Sequence, residues 1–571
     1  MTEDFGNNRN QATPIFIRNI PQVLKNTIGG SDRADFLRIK LSTRSQLHSR
    51  LSYQQANTDL TLLNPVGEVV EVSKRRGKSR KTIDIPLDTG VYFLKITPRH
   101  PQKSTQYQLR LWAMPTTAPV LAINRSSSLN KGEQITFSHS LLNATGIDQN
   151  PSQLVYTLTR LPQAGFLELG GDRLRVGNSF TQADIDAGRL AYSSLSNQSL
   201  IRGPSNFFGG TPAVSISDFN VTWTRGDYGA DNPVFLFDGA AITQLSTDQN
   251  QGRSPRISGS NVVWYGKGGS DGGTDTEIFF YNGSTVTQLT TNQTNDDMPQ
   301  ISGSHIVWSG QGGSDGGTDR EIFFYNGSTI TQLTTNRDED FAPQISGSNV
   351  VWAGVGGSDR GSDSEIFFYN GAAVSQLTRN KTDDNDLQIS GANVVWSGRG
   401  GSDRGTDSEI FFYNGATVSQ LTHNKTDDSY PQISGANVVW SGKGGKDSGT
   451  DSEVFFYNGA AVSQLTRNKT DDYASGISDT NVIWRGQGGS DRHTTDTEIF
   501  FYNGSTTQVT ADARDAESAV ISGANIAWKQ ATGYPETDTL FFNNLLQRDS
   551  FDFTVTDRGG RTKGTFKLNL T

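Results

Sequence analysis

Short hydrophobic runs recur at a fixed interval along residues 213–543. Their register is marked by Trp223, Trp264, Trp308, Trp352, Trp396, Trp440, Trp484 and Trp528, spaced once by 41 residues and then six times by 44. In the second copy the runs are PRIS (255–258), NVVW (261–264), EIFFYNG (277–283) and TVTQLT (285–290). They are rich in Val, Thr, Phe and Tyr, which predicts strands. The third run is apolar at successive positions, the pattern of a strand buried on both faces. A tight SGSN turn joins the first two runs. Asn282-Gly283 predicts a type I′ hairpin between the last two, because that turn needs positive φ at both central residues. The long loop YGKGGSDGGTDT joins the second run to the third, and TNQTNDDMP leads into the next copy.

A period in this range means a solenoid or a propeller, and a four-stranded antiparallel meander is one propeller blade. The Trp ending the second strand reads as core between neighbouring blades. The first three runs occur eight times, but the fourth only seven, because the last copy, 521–543, lacks a TQLT equivalent. Eight blades are therefore expected, the last either three-stranded or completed by a segment from elsewhere; seven blades is the alternative.

Upstream, alternating apolar residues and turn signals predict β-sandwiches. Residues 14–115 contain NTIGGSDRADFLRIKL, NTDLTLLNPVGEVVEVS, IDIPLDTGVYFLKITP and STQYQLRLW. This order resembles the bacterial pre-peptidase C-terminal domain, an accessory module of secreted proteins without catalysis of its own. Residues 117–200 include SFTQADIDAGRLAYSS and resemble a cadherin-like repeat of the chondroitin-sulfate-proteoglycan type. In such repeats a D-S-F-x-F-x-V-x-D strand soon follows, and here it is displaced to 549–557, ahead of GTFKLNL. The repeats themselves, with P-x-I-S-G, V-V-W, E-I-F-F-Y-N-G and Q-L-T, resemble TolB-type propeller repeats of bacterial exported proteins.

The expected fold is thus all-β. A flexible segment (1–13) precedes a sandwich (14–115). A second, cadherin-like sandwich (116–205 and 545–571) carries an inserted propeller (206–544). A closed ring brings its ends together, so insertion into a loop is tolerated.

Composition adds limits. Cys is absent, which excludes disulfides, thiolate metal sites and Cys nucleophiles. No run approaches the 18 apolar residues of a membrane span. The N-terminus shows no basic and apolar signal segment. The net charge of −9 divides into +9 for residues 1–115 and −18 for the rest. Much of the first figure comes from Lys74, Arg75, Arg76 and Lys78, read as a solvated hairpin rather than a nucleic-acid patch.

Candidate chemistry lies in the acidic loops, which a propeller gathers on one rim. The regular copies supply Asp271, Asp275, Glu277; Asp315, Asp319, Glu321; Asp359, Asp363, Glu365; Asp403, Asp407, Glu409; and Asp447, Asp451, Glu453. Gly-rich acidic loops offer the oxygen donors that Ca²⁺ requires; the competing reading is Asx-turns. Asp383, Asp384, Asp427 and Asp428 add acid to the same rim and are candidate contacts for the basic run of a second copy. Six histidines with no G-x-S-x-G elbow give no hydrolase triad. Catalysis needs one asymmetric constellation, whereas near-identical blades suit multivalent binding or assembly. The expected function is a non-enzymatic bacterial surface or secreted protein for adhesion or assembly. Its expected partners are other copies, surface proteins or polysaccharide. A lectin-type propeller is the alternative, and a hydrolase with an unrecognised site comes third.

Overall fold

The computed structural model describes residues 5–571 except 74–78, 101, 116–117, 147–149, 197–198, 202–213, 225–232, 248–251, 271, 315, 359–360, 403–405, 446–448, 488, 490–495, 512–513, 532–537 and 558. The chain divides into two compact units: Met1–Ser194 with Arg548–Thr571, and Leu195–Gln547. The protein is all-β, with a single five-residue α-helix, Gln182–Asp186, among the described residues.

The first unit begins with two facing sheets. One contains Thr13–Ile15, Asp35–Leu41, Gly90–Pro98, Thr58–Leu63 and Val69–Ser73; the other contains Gln22–Ile28, Thr105–Pro115, Ser45–Ser52 and Lys81–Leu87. Alternation decides the inner face: in Ser45–Ser52 every second residue is buried. Leu37, Leu47, Leu60, Leu94 and Leu109 meet in the core at 0% exposure. The segment expected to be flexible is anchored at Phe5 and at Thr13, with mostly exposed residues between. Phe5 enters this core, and Thr13–Ile15 pairs in parallel with Asp35–Leu41. One apolar side chain, with no periodic neighbours to announce it, anchors the segment.

A second sandwich completes the unit. Its five-stranded sheet runs Ser127–Leu129, Gly560–Leu570, Arg548–Asp557, Val155–Arg160, Ser179–Thr181. Arg548–Asp557 is antiparallel to Val155–Arg160, with Tyr156 opposite Val555 and Leu158 opposite Phe553. The displaced strand therefore lies in the sheet that residues 155–160 begin. Asp549 fixes it there. Its carboxylate is 5% exposed and accepts from the Gln163 and Ala164 backbone N–H groups and the Tyr192 hydroxyl, at 2.8, 2.9 and 2.8 Å. The short helix in FTQADID is held by a capping box between Thr181 and Asp184.

The second unit contains eight four-stranded sheets among the described residues. In each, the Trp of the second strand stacks on a third-strand Phe, as Trp308 does on Phe323 with centroids 5.8 Å apart. The next residue, Phe324, turns to the opposite face and meets Tyr369 of the following sheet. This is why the third run is apolar on both faces. The S-G turn supplies a second link. Ser258 Oγ accepts from the Gly303 N–H of the next sheet at 2.8 Å. Equivalent bonds run from sheet to sheet and return from Ser522 to the Asp218 N–H at 2.8 Å.

Two local expectations are corrected. The Asn282-Gly283 hairpin has positive φ at Gly283 alone (88°), with Gly283-Ser284 at its centre. The Asn282 side chain is instead the cap, accepting from the N–H groups of Ser284 and Thr285 at 3.0 and 2.9 Å. A Gly in the first central position is the mark of a type II′ turn. Secondly, residues 199–201, assigned by sequence to the sandwich, form the fourth strand of the last sheet. Ser199–Ile201 pairs antiparallel with Asp538–Asn544. Ile201→Pro, opposite Leu540, removes one ladder N–H of this strand, because the equivalent Ile278 bonds toward the fourth-strand side of its own sheet. It is expected to cost about 1–3 kcal/mol and to raise protease sensitivity, read by thermal melts and limited proteolysis. An unchanged melting curve would show the strand to be dispensable.

Candidate functional site

Every regular copy begins its first strand with an aspartate: Asp296, Asp340, Asp384, Asp428 and Asp472, each 1–2% exposed. The carboxylate serves the Trp of its own copy. Asp296 accepts from Trp308 Nε1 at 3.1 Å and from Asn292 Nδ2 at 2.6 Å; Asp428 accepts from Trp440 and Asn424 at the same distances. A glycine faces it across the strand pair, Gly310 opposite Asp296 and Gly442 opposite Asp428, and a Cβ there would overlap the carboxylate. The last copy exchanges the pair, Ala516 facing Gln530, and leaves the Trp528 indole N–H without a hydrogen-bond partner. Burial raises the pKa of Asp296, Asp340 and Asp428 to about 6 and of Asp384 and Asp472 to about 7. Glu365 beside Asp384, Asp407 beside Asp428 and Asp451 beside Asp472 push in the same direction.

This corrects the expected interface. Asp384 and Asp428 are interior partners of their own copy, so no neighbouring molecule reaches them. Asp383 and Asp427 are exposed, and accept the Ser364 and Ser408 backbone N–H groups at 3.0 Å. Lys74, Arg75, Arg76 and Lys78 lie outside the described residues.

The acidic loop residues separate in the same way. Glu277, Glu321, Glu365, Glu409 and Glu453 are at most 1% exposed on the third strand. Glu409 and Glu453 accept the hydroxyls of Thr422 and Thr466. Asp275, Asp319, Asp363, Asp407 and Asp451 are half-buried at the loop ends, each with Oδ2 buried and unbonded. Asp271, Asp315, Asp359, Asp403 and Asp447 lie outside the described residues. Among the described residues no group of three or more His, Asp or Glu is placed to hold a metal ion. The Gln of the Q-L-T motif pins the loop: Gln288 Oε1 accepts the Ser270 N–H at 2.9 Å, and Gln332, Gln376 and Gln420 repeat the contact.

The first strands surround a central cavity of about 340 Å³. Its wall carries Gln300, Gln344, Gln388 and Gln432 from four consecutive copies, with Arg256 on one side and Gly476 on the other. Arg256 Nε donates to Gln300 Oε1 at 3.2 Å, and burial lowers its pKa. Above this wall, at the loop end of the first strands, Met298, Tyr430 and Tyr473 are 48%, 60% and 37% exposed. None of the three is among the candidates that the sequence offered. Their signal was the unlike residues between the opening Asp and Q-I-S in successive copies. A separate groove of about 460 Å³ lies in the first sandwich beside Tyr53 and Tyr107.

The chain is thus an all-β repeat protein with a propeller-like unit and a cadherin-like region. A family model described as Cadherin-like matches residues 119–203. Chondroitin sulfate proteoglycan 4 of Rattus norvegicus is 35% identical over 92 residues, covering 16% of this chain and 4% of that protein. The Homo sapiens protein of the same name is 37% identical over 75 residues, covering 13% and 3%. The chain therefore spans only a few per cent of these relatives' length. The β-propeller domain of the Trilobed protease from Pyrococcus furiosus is similar at 11% identity and TM-score 0.38, over 55% of this chain and 98% of that one. A putative TolB from Agrobacterium tumefaciens is similar at 16% identity and TM-score 0.26, over 40% and 84%. The pre-peptidase C-terminal domain of a Bacillus anthracis collagenase is similar at 11% identity and TM-score 0.16, over 18% and 93%.

Proposed function

We propose that this is a non-enzymatic, extracellular bacterial binding protein in which an eight-bladed propeller, inserted into a cadherin-like sandwich, is the interaction platform for adhesion or surface assembly. One observation carries the reading: a serine hydroxyl accepting a turn N–H, of Gly or Asp, joins each sheet to the next and returns from Ser522 to Asp218. It favours a closed, rigid ring, with Ser199–Ile201 completing the last blade. Such a ring presents equivalent loops at equal intervals, which suits multivalent contact. The cadherin-like match favours an extracellular setting. No helix of the described residues is long and apolar enough to cross a membrane.

Sedimentation and negative-stain imaging of the full chain test the reading, at low and high salt and with millimolar Ca²⁺ or chelator. Ordered oligomers, or binding to bacterial surface fractions, are expected. A strict monomer that binds nothing but turns over a peptidase or esterase substrate would move the function to the hydrolase reading. The same samples decide the cation expectation: a ligand of the folded state raises the melting temperature, so equal values in Ca²⁺ and chelator remove it.

A further inference from the structure

The interior copies are nearly interchangeable except in the long loops, where Gln311, Val355, Arg399 and Lys443 correspond, and where their first strands begin. Over 296–471 they keep Q-I-S-G, V-W, F-F-Y-N-G and Q-L-T. The second and third residues of those strands, however, read Asp297-Met298, Phe341-Ala342, Asn385-Asp386 and Ser429-Tyr430. The exposed hairpin on the opposite face shows what unconstrained drift looks like here: Ser328-Thr329, Ala372-Ala373, Ala416-Thr417 and Ala460-Ala461. Only small residues exchange there. At the channel mouth a thioether, a methyl, a carboxylate and a phenol replace one another.

The backbone at this place is unusual. Met298, Ala342, Asp386 and Tyr430 have φ of 51–54°, as do, near enough, Ser254 (44°) and Ser518 (53°). Each sits in the bulge that shifts the strand register. A side chain in the left-handed region is strained, and Gly would relieve the strain. None of these copies uses Gly or Asn. Strain kept at one place in copy after copy points to a use for the side chains.

The fifth and sixth copies concentrate that use, and the seventh, which has no positive φ in its bulge, adds Tyr473 one position earlier in its strand. Asp386 Oδ2 accepts the Ser397 hydroxyl at 2.9 Å and the Tyr430 N–H at 3.4 Å, which ties the fifth copy to the sixth. Tyr430 and Tyr473 lie on neighbouring first strands. The Arg485 guanidinium lies over the Tyr473 ring, 5.3 Å from its centroid. Two residues beyond Asp386 and Tyr430 stand Gln388 and Gln432 of the channel wall. At the next copy Gly476 leaves that wall without a side chain.

We propose that the channel mouth between the fifth and seventh copies binds a neutral polysaccharide chain, with Tyr430 and Tyr473 as the platform and Asp386 as the hydroxyl acceptor. The inference rests on the binding-platform reading above. Exposed phenol rings offer an apolar face with a polar rim, which fits the C–H face and hydroxyl edge of a sugar. Primary amides both donate and accept, as sugar hydroxyls do, and a carboxylate accepts from two of them. A neutral chain fits because residues 116–571 carry a net charge of −18, whose field repels a polyanion.

Affinity electrophoresis and calorimetry of the full chain test this, with soluble mannan, laminarin and xylan as neutral probes and alginate as the anionic one. At least one neutral probe is expected to bind. The double variant Tyr430→Ala, Tyr473→Ala should bind it about tenfold more weakly or worse, a loss of about 1.4 kcal/mol. Both rings are exposed, so its melting temperature should match the parent. Asp386→Asn, which keeps the volume of the side chain, should weaken binding several-fold and covers the case of a misfolded double variant. Equal binding by parent and both variants would overturn the site and leave the platform reading intact. Binding of alginate alone, or of no neutral probe, would overturn the saccharide assignment. If ordered oligomers and binding to surface fractions are absent as well, the platform reading falls with it.

Discussion

Asp549→Ala is expected to destabilise the unit containing the cadherin-like sandwich by about 1–3 kcal/mol, the cost of buried donors left without their charged acceptor. The carboxylate is 5% exposed and serves four donors, the Ser550 N–H among them at 2.8 Å. Alanine leaves the Ala164 amide and the Tyr192 hydroxyl buried without this acceptor, and an orphaned buried donor carries its full desolvation cost. Burial and the neighbouring Asp549 charge also raise the Tyr192 pKa, so the phenol stays protonated and donating. Asn, with one acceptor oxygen, should fall between Asp and Ala. Denaturant titration of the full chain reads the loss in its first-unit transition. A loss below about 1 kcal/mol would show that water replaces the carboxylate.

The second large effect is a pH dependence of unusual sign. Asp296, Asp340 and Asp428 have pKa raised to about 6, and Asp384 and Asp472 to about 7. Such a group holds its proton more tightly folded than unfolded. Its stabilisation is complete below its unfolded value of 3.8 and is lost as the pH climbs through 6–7. Between pH 5 and 8 each site gives up about 1–3 kcal/mol. The propeller unit should therefore melt at a higher temperature at pH 5 than at pH 8. The chain itself supplies a control. Asp384→Ala with Gly398→Gln installs the pair that the last copy uses, Ala516 facing Gln530. That variant should keep its fold and show a smaller difference between the two pH values. A melting temperature that is flat or rising from pH 5 to 8 would defeat the assignment.

What the sequence disclosed follows from which signals are local. The alternation of Ser45–Ser52 and the doubly buried third strands can be read one residue at a time, because strand geometry alone sets the face. The pairing of Arg548–Asp557 with Val155–Arg160 was legible from a motif cut in two. The role of Asp384 was not. A run of acidic residues before a strand reads as solvated, and only the Trp396 indole and Gly398 opposite make an interior aspartate of it. Ser199–Ile201 offers three residues and no period, so its place in the last sheet had no local mark. Tyr430 and Tyr473 were hidden differently: they stand inside strands, where an aromatic residue is ordinarily taken for core.

The closing strand also sets a clock. Ser199–Ile201 leaves the ribosome before any of the repeats, but its partner Asp538–Asn544 comes more than 300 residues later. At 5–20 residues per second the gap is roughly 20–70 s. Val155–Arg160 waits longer still for Arg548–Asp557. Throughout that interval the nascent chain carries strand edges whose intended partners do not yet exist, and open edges recruit other chains. Residues 538–571 thus latch both units, and a chain interrupted before them leaves each one open.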